Sequence, residues 1–245
     1  MRRRNLLGAL VATLAAGCSK VGKTDAFAAL VDTAENMHRA AQRALGGRDA
    51  LAKEFAPSDI SPSFRGNGST MIEDAAYRAH LSAGFVDWEL KLTGLFERPM
   101  ALSLEQLKAL PQRTQITRHD CVEGWSAIGE WTGPELRTLL DMAGILPEAR
   151  FVVFHCADTL DGARYYESVD LVDAYHPQTI IAHRLNGEPL RERNGAPLRM
   201  RIERQLGYKH AKYLNGIEAV ASLDGIAGGK GGYWEDRGYQ WYAGI

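Results

Sequence analysis

Along residues 25–45, apolar side chains return every three or four positions through Phe27, Leu30, Val31, Ala34 and Met37, until Gly46-Gly47 stops the pattern. That spacing predicts a helix with one apolar stripe. Residues 57–69 are rich in Ser, Pro and Gly, carry no period, and predict an irregular approach segment that includes Asn67. The period then changes to two. Val86, Trp88, Leu90 and Leu92 alternate with Asp87, Glu89, Lys91 and Thr93, as on a half-buried strand, and Gly94 punctuates it.

Ser103 and Gln106 have the reciprocal spacing of a capping box ahead of a short helix that Pro111 ends. A short strand over 114–118 would deliver Cys121 to the loop at its end. Thr132-Gly133-Pro134-Glu135 reads as the start of the next helix, closed by Gly144. Further strands are predicted at 151–154, at 179–185 before an Asn186-Gly187 turn, at 198–202 and at 217–223, and Tyr165-Tyr166-Glu167-Ser168 leads into a short helix. Short strands and helices without a regular repeat predict an α+β domain of mixed sheets rather than a parallel, doubly wound one.

The last stretch, 228–245, crowds glycine with Tyr233, Trp234, Tyr239, Trp241 and Tyr242, and is expected to dock across a sheet face, a substrate role being the other reading. Within it, Gly228-Gly229-Lys230-Gly231-Gly232 lacks the spacing and the following Ser/Thr of a phosphate loop and reads as a flexible turn.

A net charge of -1 over 245 residues argues against a nucleic-acid or polyanion partner. Residues 1–23 have the basic start, short apolar run and small residues of an export signal. Paired arginines before Asn5-Leu6-Leu7 resemble a twin-arginine signal, a plain secretory signal being the other reading. Ala15-Ala16-Gly17-Cys18 is a partial lipobox, which makes Cys18 a candidate lipid anchor. The expected organisation is a leader over 1–23, a helix and linker over 24–60, and one catalytic domain over 61–245.

Candidate chemistry begins at Arg118-His119-Asp120-Cys121-Val122-Glu123-Gly124-Trp125, which sets a cysteine among charged and aromatic residues between two structured segments. Thiolate is the nucleophile and the metal ligand, and neighbouring cations favour it. An inert buried thiol, a disulfide to Cys156 and a metal thiolate all remain open on these residues alone. No Walker loop, Cys-x-x-Cys, His-Glu-x-x-His or nucleophile elbow is present. Two basic groups follow turn signals, Asn-Gly-Ala-Pro-Leu-Arg at 194–199 and Gly-Tyr-Lys-His-Ala-Lys at 207–212, and suit an anionic cofactor.

Taken with Cys-Val-Glu-Gly-Trp-Ser at 121–126 and His-Pro-Gln-Thr at 176–179, these motifs, in this order, resemble the molybdopterin-binding domain of the sulfite oxidase superfamily. More narrowly they resemble its exported bacterial branch, which includes the catalytic subunit of periplasmic protein-methionine-sulfoxide reductase. The resemblance runs over 61–245 and implies the sulfite-oxidase-like fold and Mo-molybdopterin as cofactor. It implies that Cys121 ligates molybdenum, that Asn67, Asn194 and Arg199 hold the pterin and its phosphate, and that His210, Ala211 and Lys212 close over it. Cys156 falls where the reductase branch has threonine, which weakens its assignment to the pterin. Glu123, His119 and Tyr166 are the candidates for groups around the metal.

Such an enzyme moves an oxygen atom to or from a small S- or N-oxide, a sulfite-type substrate or an oxidised side chain. No haem motif is present, so a separate cytochrome c or membrane haem protein is expected to carry electrons. Only a short tail follows the last pterin motif, so the immunoglobulin-like dimerisation domain of full sulfite oxidases is not expected, and a monomer is. The rival is a non-catalytic periplasmic binding domain that keeps the fold without the metal, which a Cys121–Cys156 disulfide would favour. A disulfide-handling thiol protein is the weakest reading, because no second cysteine lies close to Cys121 in sequence.

Overall fold

The computed structural model describes residues 24–245, so the leader and Cys18 lie outside it. Helix α1 (Asp25–Gly46) forms a unit of its own and has the predicted ends: Thr24 accepts from the Phe27 amide, and Gly47 closes the helix at φ 71. Among the described residues, no helix is long and apolar enough to cross a membrane.

The second unit, Arg48–Ile245, holds the core. Its largest sheet has five strands in the order β2-β1-β11-β5-β6, namely Met100–Ser103, Glu89–Gly94, Leu214–Val220, Phe151–Leu160 and Ala163–Asp170. Strand β1 runs parallel to β11, and the other pairs are antiparallel. A four-stranded sheet, β3-β4-β8-β9, is dominated by the hairpin of β3 (Gln112–Asp120) and β4 (Ser126–Pro134), completed by β8 (Arg184–Leu185) and β9 (Glu188–Pro189). Strands β7 (Thr179–Ala182) and β10 (Arg199–Ile202) make a third, two-stranded sheet. Short helices α2 (Ala75–Ser82), α3 (Leu104–Ala109), α4 (Leu136–Ala143) and α5 (Leu171–Ala174) fill the connections. This is the mixed α+β architecture that the pattern predicts.

Several boundaries move for identifiable reasons. Strand β4 runs nine residues to Pro134, so Thr132 is a strand residue whose hydroxyl meets that of Thr114 at 2.9 Å rather than a helix cap. Helix α4 begins after Glu135, which makes no side-chain capping bond. Gly133 is needed here for a different purpose: a Cβ would sit 2.0 Å from the Ile181 carbonyl oxygen, so only glycine lets β4 approach β7. The predicted strand over 179–185 breaks after Ala182 and divides between two sheets. Tyr165 to Ser168 are themselves in β6, and the helix they lead into, α5, starts at Leu171. The capping box is as read, with Ser103 Oγ accepting from the Gln106 amide and Gln106 accepting from the Ser103 amide.

Residues 48–60 do not run free: Glu54 bridges Thr117, and the Phe55 amide donates to the Ile116 carbonyl. The aromatic tail is docked as expected. Tyr233 is 1% exposed, Trp241 packs edge-on against Phe151 at 5.5 Å, and the Tyr233 amide bonds the Tyr166 carbonyl on β6, an edge strand that the tail thereby covers.

Candidate functional site

The β3–β4 hairpin ends in a tight loop that presents Cys121. The Cys121 amide donates to the Trp125 carbonyl at 2.9 Å, the Gly124 amide returns to the Cys121 carbonyl at 3.0 Å, and Gly124 takes φ 84, a left-handed geometry that suits glycine. Asp120 braces the base by accepting from Ser126 Oγ at 2.5 Å and from Arg118 Nε at 2.9 Å. The thiol is 8% exposed and faces a cleft of about 130 Å³. Its walls include Asn67, Ser69, Glu123, Asp158, Tyr165, Tyr208, His210, Lys212, Trp234 and Tyr239. A larger groove of about 460 Å³ lies elsewhere, around Trp88, His155 and Arg164, and contains none of the residues the motifs single out.

The loop after β10 and the segment before β1 meet at this cleft. Lys212 Nζ donates to the Asn67 carbonyl at 2.6 Å and to the Ser69 carbonyl, and Tyr213 Oη reaches the same Ser69 carbonyl at 2.7 Å. The Asn67 side chain lines the cleft with Cys121 and favours its ionised form. Burial raises the Cys121 thiol, and the Glu123 amide, Arg65 and Asn67 work against that rise. Cys156 is on β5, 4% exposed, with its thiol pushed well up by burial and then by Asp158. Both cysteines are free, so the pairing that would favour a metal-free binding domain is not formed.

Positive charge collects behind the cleft with too few carboxylates to match it. Arg201 is paired with Glu203 at 2.6 Å, both fully buried. Arg199, 1% exposed, spends one N–H on the Asn194 carbonyl, and its Nε and Nη2 have no partner. Both guanidinium groups lie over the Trp131 ring, at 4.9 and 4.4 Å. Burial and then Arg201 pull Arg199 down to about 9, still a cation at neutral pH, and burial and then Arg199 pull Lys212 down to about 7. Such a cluster is costly unless an anion completes it.

The histidines are fixed by their neighbours. Arg201 can only donate, so His119 Nδ1, 3.0 Å from Arg201 Nη1, accepts and the ring proton is on Nε2. His210 Nε2 faces the carbonyls of Ile202 and Gln205, so it carries the proton and leaves Nδ1 as an acceptor. Burial, with Arg201 next, holds both rings far below the usual imidazole range, hence neutral. Atoms without protein partners here include Asn67 Oδ1, Ser69 Oγ, His119 Nε2, Trp131 Nε1, Asp158 Oδ1, Asn194 Nδ2, Arg199 Nε and Nη2, and His210 Nδ1. Buried polar atoms are almost always satisfied, so this group of orphans marks a place where a ligand's own polar edge belongs.

Not every sequence candidate reaches the cleft. Asn67, Cys121, Glu123, His210 and Lys212 line it, while Asn194 and Arg199 lie behind it; Ala211 is fully buried, its carbonyl accepting from Met200. His119 is screened by Gly207, where a Cβ would fall 2.5 Å from His119 Nε2. Tyr166 points the other way on β6, its hydroxyl on Asp236 at 2.7 Å, and its neighbour Tyr165 takes the cleft side. Among the lining residues, Asp158, Tyr165 and Tyr208 carry no role of their own in the sequence reading, whereas a substrate role is one of its two readings of the aromatic tail that holds Trp234 and Tyr239. Period two along β5 would have placed Asp158 on the face of Cys156.

The chain matches a protein-family model described as the oxidoreductase molybdopterin binding domain over residues 79–224. It is 42% identical over 157 residues to the putative protein-methionine-sulfoxide reductase subunit YedZ1 of Azospira oryzae, covering 64% of this chain and 56% of that protein. It is 33% identical over 146 residues to the protein-methionine-sulfoxide reductase catalytic subunit MsrP of Campylobacter jejuni, covering 54% and 48%. The chain thus spans about half the length of these curated relatives. The crystal structure of the sulfane dehydrogenase SoxCD from Paracoccus pantotrophus has a similar fold, with a TM-score of 0.53 at 20% identity over 71% of this chain and 46% of that one.

Proposed function

Because the chain belongs to the family of the oxidoreductase molybdopterin-binding domain, the sulfite oxidase family, we propose that its Cys121 cleft carries out two-electron oxygen-atom transfer on a small S- or N-oxide, a sulfite-type substrate or an oxidised side chain. Its cofactor is Mo-molybdopterin, which supplies the oxygen-atom exchange and the two-electron redox change when bound. The names of its relatives favour the reductive direction on a sulfoxide. That half-reaction takes two electrons and two protons and yields the sulfide and water.

The residues present fit a phosphorylated pterin. Arg199, with two unpartnered N–H positions, and Lys212 hold the phosphate, and Asn67 Oδ1, Asn194 Nδ2 and His210 Nδ1 answer the donors and acceptors of the heterocycle. Cys121 would give the metal a soft thiolate, which the Asn67 side chain favours. Glu123, tied to Trp125 Nε1 at 2.9 Å, borders the open end and offers a carboxylate beside the metal. His119, held in one tautomer by Arg201, stiffens the wall behind Gly207. Cys156 and Ala211 are buried and do not line the cleft.

The protein works outside the cytoplasm, exported by the twin-arginine route, with Cys18 a candidate lipid anchor. It takes electrons one at a time from a separate haem protein, a cytochrome c or a membrane haem protein. The observation that carries the reading is the set of orphaned buried polar atoms, Arg199 Nε and Nη2 among them, in a unit that also presents a free thiol at the cleft. The test is molybdenum content of wild type and Cys121→Ser, purified through the export route from a molybdenum-replete host. Stoichiometric metal in wild type, and its loss or an altered molybdenum signal in the variant, are expected. Metal-free wild type from a host that loads another molybdoenzyme would overturn the reading.

A further inference from the structure

The outer wall of the cleft comes from residues 225–245, beyond the stretch that matches the family model. Trp234 and Tyr239 stack with ring centroids 5.2 Å apart and 29° between their planes, and Tyr208 meets Tyr239 edge-on at 5.3 Å. All three line the cleft with Cys121 and Val122, and Val122 and Tyr239 are 48% and 39% exposed. An aromatic shelf left partly open beside a reactive thiol is a surface for apolar and polarisable groups.

The shelf is held from behind by a set of bonds that the chemistry at Cys121 does not use. Lys209 Nζ lies between Glu167, at 2.6 Å, and Glu235, at 2.5 Å, and none of the three is more than 1% exposed. Tyr166 Oη donates to Asp236, whose carboxylate also gathers the amides of Gly228 and Lys230. The glycine-rich run therefore wraps a carboxylate of its own chain. The Tyr239 amide returns to the Trp234 carbonyl at 3.0 Å and closes the loop that carries both rings.

We infer that Trp234 and Tyr239 form the substrate-selecting wall of the cleft, seating the apolar substituent next to the oxide, and that Tyr166 and the Glu167–Lys209–Glu235 cluster are positioning residues for that wall. The inference rests on the reading that the Cys121 cleft is where an oxide is turned over. It adds no chemical step, only a choice among substrates.

The test uses the molybdenum-loaded full chain, with reduced viologen as electron donor and two substrates, dimethyl sulfoxide and methyl p-tolyl sulfoxide. Trp234→Ala is expected to lower the preference for the aryl substrate, as a ratio of kcat/KM, about tenfold, with the loss in KM, and Trp234→Phe to restore most of it. Tyr166→Phe should move the same ratio the same way by a smaller factor. An unchanged ratio, or loss of molybdenum in the Trp234 variants, would overturn the proposal. Wild type that holds molybdenum but reduces neither sulfoxide refutes the sulfoxide reading of the cleft instead. In that event, tryptophan quenching by methyl p-tolyl sulfide decides: quenching that Trp234→Phe abolishes upholds the wall, and no quenching in wild type overturns it.

Discussion

Arg199 shows how one residue can be a liability to the fold and a candidate for the site at once. It is buried among apolar neighbours and Arg201, it has unused donors, and no carboxylate answers it directly. Replacing it by methionine removes a buried charge without opening a large void, so the cofactor-free protein should unfold at higher urea, by about 1–3 kcal/mol. The same change should weaken retention of the phosphate-bearing cofactor, measured as molybdenum per chain after dialysis. Opposite signs in the two measurements distinguish a ligand-binding arginine from a structural one, which would lower both. The sequence singles out Arg199 because it ends a turn motif, but nothing in the motif shows that its charge is unmatched.

At the scale of elements, the site depends on close approaches that only glycine permits. The turn carrying Gly207, Gly207–Lys209, lies against His119 on β3, and Gly207→Ala would push a methyl group into the imidazole. The ring cannot retreat easily, since Arg201 fixes its other nitrogen and His210 packs against it at 5.1 Å. Overpacking of this kind costs about 1–3 kcal/mol. A drop of that size in the urea midpoint, with a changed molybdenum signal in the loaded protein, is expected. A silent Gly207→Ala would mean that the segment moves freely and that His119 is not held as described. The same logic explains the misread helix start at Thr132: Gly133 is there for the carbonyl of Ile181 across the sheet, a partner 48 positions away that local capping rules cannot see.

Across the whole molecule, the neutral histidines set the acid limit. Burial, followed by Arg204 for His176 and by Lys108 and Arg184 for His183, lowers both rings, His183 to about 4. The unfolded chain protonates them near 6.5 while the folded chain does not, so their contribution is fully present above that pH and is lost as pH falls toward 4. The urea midpoint should decline across that window, and His183→Gln should flatten the decline without touching the Cys121 cleft. A midpoint that stays level from pH 6.5 to 4 would contradict the burial of these rings.

By itself the sequence determined the α+β class, most strands, the Ser103 cap, the loop at a strand end that holds Cys121 and, through its ordered motifs, the residues that the cofactor proposal uses. Those are local facts: periodicity, turn chemistry and short motifs act within a few residues and can be read along a line. Only the tertiary structure decided which face of β6 meets the cleft, giving Tyr165 the pocket and Tyr166 the tail. It also decided that residues 48–60 join the domain, that Arg199 lacks a counter-charge, and that Trp234 and Tyr239 return from the chain's last stretch to wall the site opposite a cysteine more than a hundred positions earlier. The physical reason is that burial, unsatisfied charge and side-chain proximity are properties of packed neighbours distant in sequence, and they exist only once the sheets and the tail have closed around the cleft.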